Sequence, residues 1–292
     1  MQLQRELEYT RILSALPQGL TNSSNACFVN ACLEALSGSF LLLRPYSHPE
    51  FQSLLEALTL CSCFDVSERV ARSIRQVASP LNHFGLSLHS QNDAHETLLQ
   101  LLDRCFKPKS DHLPFLGKIT ISRNCAKCGN TATSVESFTV LTVKPDCLTI
   151  SGCLKNLAQP RLVENVECGH CKAQTLHAFS ETISDLPDLL IIHIDRVSLD
   201  SKSQQPVFID SKLAVTNSRV YELTSVIYHI GSSAHSGHYA TLRRWDRSIF
   251  GFSSSPRWIT VDDDKVNYES EAFPGSQLIR ENAYLVCFTK IY

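Results

Sequence analysis

Three groups of residues in this chain have the types and spacing to do chemistry. The first is a cysteine at the head of an apolar run, Asn22-Ser23-Ser24-Asn25-Ala26-Cys27-Phe28-Val29-Asn30. Ser23, Ser24 and Asn25 are residue types that cap helix starts. Phe28, Val29, Ala31, Cys32, Leu33, Ala35 and Leu36 then predict a largely buried helix, closed by Gly38. Cys27 would lie in or just before its first turn, where unpaired N–H groups and the helix dipole favour a thiolate. Asn22, in the same turn, has an amide that could reach an oxyanion forming near the sulfur. Taken alone, a cysteine at a helix start is more often a small buried residue.

The second group lies far downstream, in Gly231-Ser232-Ser233-Ala234-His235-Ser236-Gly237-His238-Tyr239. A Gly/Ser loop delivers His238 to the start of a strand, where its ring can face a cleft. A cysteine followed in chain order by a histidine and a polar third residue matches papain-type thiol chemistry, with the histidine as base and then acid. His229, within a strand, reads as a hydrogen-bonded core histidine, and His235 as solvated. Arg257–Val261 predicts a strand running into Asp262-Asp263-Asp264. An acid there could fix the histidine tautomer, although the same residues suit a plain acidic turn.

The third group is two knuckles, Cys125-Ala126-Lys127-Cys128 and Cys168-Gly169-His170-Cys171, each with a turn glycine. Two such pairs complete a closed tetrahedral zinc site that holds structure and performs no chemistry. Residues 129–167 separate them, too long a gap for a compact zinc ribbon, so the knuckles must be tips of separate hairpins brought together. Unliganded thiols, a redox pair, or His170 in place of one sulfur are the alternatives.

These residues must be positioned by a sizeable core. The chain has 292 residues, 43% hydrophobic and 19% charged, with a formal net charge of −2. That charge gives no reason to expect nucleic acid or an anionic membrane as partner. No apolar run approaches membrane-spanning length, and the N-terminal stretch lacks a signal-peptide core, so no leader is expected. Twelve cysteines without a secretory signal argue for a reducing, intracellular compartment, cytoplasmic or nuclear. Residues 28–115 read as mostly helical. Phe51 to Leu60 and Val66 to Val77 have helical spacing, and Ser90 is the expected cap of a helix with apolar face Ala94, Leu98, Leu101 and Leu102. Asp93 and Glu96 then sit where acids are favoured, in the first turn. From about residue 116 short alternating runs predict strands: Lys118–Ile121, Thr133–Val143, Gln174–Phe179, Leu186–Arg196, Val207–Ile209, Tyr221–Ile230 and Ala283–Phe288. Residues 198–206 read as a polar surface loop.

With these pieces in order, the chain resembles the ubiquitin-specific protease family of deubiquitinases over roughly residues 18–290. The family's cysteine box appears as Gly19 to Asn30, and its Gln-Gln-Asp-Ala-x-Glu segment as Gln91 to Glu96. Its Leu-Pro-x-x-Leu strand is Leu186 to Val197. Its histidine box is Tyr221-Glu222-Leu223, His229-Ile230-Gly231 and Gly237-His238-Tyr239, and its Trp…Asp-Asp segment is Trp258 to Val266. The resemblance implies an α+β papain-like cysteine peptidase with a helical thumb (about 1–115), zinc-braced β fingers (116–182) and a β-rich palm (183–292), all one catalytic domain. It implies Cys27 as nucleophile, His238 as base and acid, Asp262 as orienting acid, Asn22 at the oxyanion and Asp263 as auxiliary. Gln91, Asp93, Glu96, Gly237 and Tyr239 would contact ubiquitin, and one structural zinc would sit on Cys125, Cys128, Cys168 and Cys171. The implied partners are ubiquitin and ubiquitinated proteins, acted on by a monomer. Ser24 and Ala26 depart from the box, where the family has Gly and Thr, and favour the alternative of a catalytically weak ubiquitin-binding protein; a third reading keeps the enzyme but acts on another ubiquitin-like modifier.

Overall fold

The first described helix, α1 (Cys27–Ser37), is buried at all eleven positions. Its one polar stripe, Asn30, Glu34 and Ser37, is buried with the rest, which suits a helix covered on every side. The computed structural model describes residues 19–22, 25–49, 51–52, 55, 92–106, 112–198, 201–216, 219–231, 236–245, 257–267 and 273–291. Most of the helices expected between Phe51 and Val77, and Ser24, Ser90, Gln91 and His235, lie outside these residues.

A short helix α2 (Phe40–Leu43) and one 3-10 turn (Arg44–Tyr46) follow α1. Helix α3 (Ala94–Cys105) buries Ala94, Leu98, Leu101 and Leu102, the face expected from the spacing. Its cap is Asp93 and not Ser90: the Asp93 carboxylate accepts from the N–H groups of His95 and Glu96 at 2.8 and 3.0 Å. An acid in that position meets both the orphan donors and the positive end of the dipole.

Strands β1 (Gly117–Cys125) and β2 (Thr131–Phe138) form a hairpin, followed by β3 (Leu141–Val143). Helix α4 (Ile150–Leu157), which the sequence pattern did not predict, is capped by the Thr149 hydroxyl accepting from Gly152 N–H at 3.0 Å. Strands β4 (Arg161–Glu167) and β5 (Gln174–Asp185) make a second hairpin, and the two hairpins join as one antiparallel sheet in the order β2-β1-β5-β4.

The remaining elements build the larger sheet. They are β6 (Leu189–Ile194), β7 (Val197–Ser198), β8 (Ser201–Lys202), β9 (Lys212–Thr216), β10 (Arg219–Ile230), β11 (His238–Trp245), β12 (Arg257–Asp262), β13 (Lys265–Asn267), helix α5 (Gln277–Asn282) and β14 (Ala283–Lys290). Among the described residues the order is β13-β12-β11-β10-β14-β6-β3, with β9 on β10, while β7 and β8 pair only with each other. Two expectations fail here. Residues 198–206 contain most of the β7–β8 hairpin. Val207–Ile209 is no strand: the N–H groups of Val207 and Phe208 bond to Arg280 O and Leu148 O, and only an isolated bridge joins Phe208 to Thr149.

The large sheet is covered on both faces, which explains why all six residues of β6 are buried. Leu189, Ile191, Ile227 and Leu285 face α1 and α3, whereas Leu190, Ile192, Val226 and Val286 face a second cluster with Ile150 and Ile279. Three polar contacts fix how α1 lies on the sheet. Thr241 Oγ1 donates to Ala31 O at 2.9 Å, Ser225 Oγ to Ala35 O at 3.1 Å, and Arg243 Nε to Glu34 Oε2 at 2.9 Å. The ion pair is almost fully buried. Desolvation lifts the Glu34 carboxyl to about 7, against the pull of Arg243.

Candidate active site and metal centre

Cys27 is the first residue of α1 and is 6% exposed. Among the described residues, the helix start at Ala26 has no side-chain cap. Asn22 works from outside instead, its Oδ1 accepting from Ala26 N–H at 3.0 Å. An uncapped start leaves helix donors available to an anion.

The turn between β12 and β13 docks directly on this region. Asp263 Oδ2 accepts from Asn22 Nδ2 at 2.9 Å, Oδ1 accepts from Asn30 Nδ2 at 2.8 Å, and its carbonyl accepts from Leu20 N–H at 2.8 Å. Asn30 Nδ2 also reaches Leu20 O at 3.2 Å. The approach needs glycine at position 19, where a Cβ would stand 1.9 Å from Asp263 O. Asp263 itself has φ of 52°, a left-handed conformation that Asp tolerates better than most residues. Asn22 therefore remains beside the cysteine turn, with an amide hydrogen directed to Asp263. Asn30 is a site residue that sequence reasoning passed over, although it lies inside the cysteine motif.

His238 opens β11, opposite Ile230 on β10. Its Nε2 makes a close contact with Asp262 Oδ1 and stands 4.0 Å from Asp263 Oδ2. With Nε2 engaged, Nδ1 is the ring nitrogen left for the thiol. The hydrogen bond with Cys27 is the main reason the imidazole is lifted from 6.5 to about 9. The Asp262 contact adds to it and desolvation opposes it. The structure thus brings Cys27, His238 and Asp262 into one chain of contacts, with Asp263 and Asn22 behind them.

Beside Cys27 opens a cavity of about 420 Å³. Asp93, Glu96, Gly237 and Tyr239 all line it, and Gln91 lies outside the described residues. Asp93 also ties down the cavity wall, where its Oδ2 accepts from the hydroxyls of Tyr284 and Tyr239, the latter at 3.4 Å. His229 is buried as expected, yet it also lines this cavity, with its ring 4.6 Å from that of Tyr239. Burial holds its pKa down to about 4. His95 and Tyr284, which also line the cavity, pack on His193 behind them: His95 stacks on it at 4.2 Å and Tyr284 meets it edge-on at 4.7 Å. Burial lowers both histidines, His193 to about 4. The sequence pattern does not predict His193 and Tyr284, because strand alternation alone does not say which sheet face borders a cleft.

The four knuckle cysteines lie at the turns of the β1–β2 and β4–β5 hairpins, as the spacing required. Their sulfurs all lie within 4.8 Å of one another, with Cys125–Cys171 at 4.0 Å and Cys128–Cys168 at 3.8 Å. A zinc tetrahedron with arms of about 2.3 Å has edges of about 3.8 Å. Backbone N–H groups of Cys171 and His170 pull the Cys168 thiol down to about 6, which suits a metal-binding thiolate. The arrangement can hold a metal ion.

Residues 18–288 match the family model described as ubiquitin carboxyl-terminal hydrolase. The chain belongs to that family. This agrees with the resemblance carried by its motifs. Among curated relatives, "Ubiquitin carboxyl-terminal hydrolase 23" of Arabidopsis thaliana is 24% identical over 330 residues, covering 98% of this chain and 37% of that protein. "Ubiquitin carboxyl-terminal hydrolase 17-like protein D" of Mus musculus is 24% identical over 314 residues, covering 93% of this chain and 54% of that protein. This chain therefore spans between about a third and just over half of these relatives' lengths. A solved structure, "Structure of the SAGA Ubp8/Sgf11/Sus1/Sgf73 DUB module bound to ubiquitin aldehyde", matches with a TM-score of 0.69 and 18% identity over 97% of this chain and 71% of that one. That likeness is one of fold: α+β, with helices against a large sheet and a smaller four-stranded sheet beside it.

The raised His238 gives a signed expectation. Its contribution to stability is complete below its ordinary 6.5 and is lost as pH rises through about 9. An NMR titration of the His238 ring should show Asp262→Asn lowering its midpoint, and Cys27→Ala lowering it further. A midpoint unmoved by either change contradicts the contact chain.

Proposed function

We propose that this chain is a thiol-dependent deubiquitinase domain that hydrolyses the peptide or isopeptide bond at the C-terminal glycine of ubiquitin. The observation that carries the reading is Cys27 on the wall of a cavity, with the His238 ring held by Asp262 and raised in pKa by the neighbouring thiol. A cationic imidazole beside a cysteine supports thiolate attack on a carbonyl. Cys27 Sγ attacks the glycine carbonyl, and His238 holds the thiol proton and passes it to the leaving amine. The thioester is then opened by water, with His238 as base. Asp262 holds the ring in one orientation. The uncapped start of α1, with Asn22 beside it, faces the developing oxyanion.

Ubiquitin is supported as the modifier by family membership and by relatives named as ubiquitin hydrolases. Asp93 and Glu96, acids on the cavity wall, would favour a basic peptide tail entering toward Cys27. Cys125, Cys128, Cys168 and Cys171 would hold one zinc ion, a closed site that ties the two hairpin tips together.

The test is labelling with ubiquitin that carries a thiol-reactive electrophile at its C-terminus. Wild type should form a covalent adduct and Cys27→Ala should form none. An adduct only with a probe built on another ubiquitin-like modifier would move the function to that modifier. Folded protein that labels with no probe would favour a binding protein without turnover. Elemental analysis of the same protein should find about one zinc per chain, absent in a variant with all four knuckle cysteines changed to serine. Wild type without zinc rejects the metal site.

A further inference from the structure

The stretch from Asp195 to Val207 sends two cations inward. Arg196 is 2% exposed and, among the described residues, donates to main-chain carbonyls: Nε to Ala283 O at 2.7 Å, Nη1 to Ser203 O and Gln205 O at 3.2 and 2.7 Å, and Nη2 to Arg280 O at 2.7 Å. These bonds fasten the stretch after β8 to the start of β14. Held there, Lys202 donates from Nζ to the carbonyl of His229 in a close contact, to Gly231 O at 3.2 Å and to Asn282 Oδ1 at 3.1 Å. All three acceptors are uncharged. The ammonium therefore joins the end of β10 to the residue before β14.

The end of β10 is the wall of the cleft. His229 and Gly237 line the cavity beside Cys27, and Ile230 pairs with His238. The main chain here has no slack. A Cβ at Gly237 would lie 2.3 Å from His229 Nε2 and 2.5 Å from Ile230 O. A Cβ at Gly231 would lie 2.6 Å from Ser236 O, and Gly231 has φ of 155°, a conformation side chains disfavour. A displacement of residues 229–231 is thus passed directly to Gly237 and His238.

Resting on the functional reading above, we propose that Lys202 is a positioning residue for the reaction: it clamps the His229 and Gly231 carbonyls and so fixes the strand end that carries His238. Burial, with Arg196 adding to it, lowers the Lys202 ammonium to about 8. The clamp is a partly desolvated charge held by carbonyl dipoles, where each charge-assisted bond counts for more than on the open surface.

The experiment compares wild type, Lys202→Ala and the control Lys155→Ala, an exposed lysine on α4. The substrate is ubiquitin bearing a C-terminal fluorogenic amide, with and without ethylammonium, and amide hydrogen exchange is read in parallel. Lys202→Ala should lower kcat about tenfold with little change in KM, and ethylammonium should restore part of the loss. Exchange should rise at residues 229–231 and 237–239 and stay unchanged in β6. Lys155→Ala should match wild type in every readout. Unchanged kcat and exchange in Lys202→Ala overturns the proposal. So does a loss that ethylammonium does not relieve, accompanied by faster exchange throughout the sheet, because that marks general destabilisation. Should wild type itself turn over no ubiquitin substrate, the functional reading fails separately. Exchange at 229–231 then decides on Lys202: a local rise supports the clamp and no rise rejects it.

Discussion

Asp263 bonds through all three of its oxygens to residues that precede or begin helix α1. Its neighbour Asp262 is the residue that meets His238. One tight turn therefore holds both Cys27 and His238, the cysteine turn through Asn22, Asn30 and Leu20, and the imidazole through Asp262. The chain separation is more than two hundred residues, and nothing local could bring these groups together. Charge-assisted bonds from a carboxylate to two side-chain amides are among the stronger contacts available. Asp263 is 14% exposed at the side chain, so water competes weakly for them.

The rest of the fold makes that meeting possible. The large sheet, buried on both faces, supplies a rigid platform on which β11 and β12 lie side by side. Helix α1 is pinned to β10 and β11 along its length by the Thr241, Ser225 and Glu34–Arg243 contacts. Burying side chains such as Phe28 and Leu33 contributes about 1.5–3 kcal/mol each, and this sets the helix against the sheet. The polar contacts then choose its register. On the other flank, Arg196 holds the start of β14, Lys202 ties the end of β10 to Asn282, and Asp93 ties α3 to Tyr239 and Tyr284. The cleft is walled by elements that are each anchored by a buried charge or amide.

Much of this was legible from residue order. The Cys27 helix, the apolar face of α3, the two cysteine hairpins and the strand leading from His238 follow from periodicity and knuckle spacing. What was not legible has physical causes. Helix α4 is only eight residues long and follows a strand-rich stretch, so its start rests on the single Thr149 cap. The cap of α3 is Asp93 because one carboxylate there serves a helix end and two tyrosines, a dual use invisible in spacing. Residues 198–206 read as a surface loop because Lys and Ser are usually solvated. The inward turn of Lys202 depends on carbonyls contributed by β10 and an amide before β14. Val207–Ile209 has strand-forming residues, yet its N–H groups are taken by Arg280 and Leu148, so propensity yields to tertiary contact.

Asp263 and Asn30, bonded at 2.8 Å, would act as one clamp on the Cys27 turn. The most direct measurement is a double-mutant cycle of Asp263→Ala and Asn30→Ala, reading the alkylation rate of Cys27 by iodoacetamide with mass-spectrometric assignment of the site. The account predicts that each single change slows alkylation and that the double variant is no slower than the worse single one, since either change opens the same clamp. Losses that simply add would show that the two residues act independently and would contradict it.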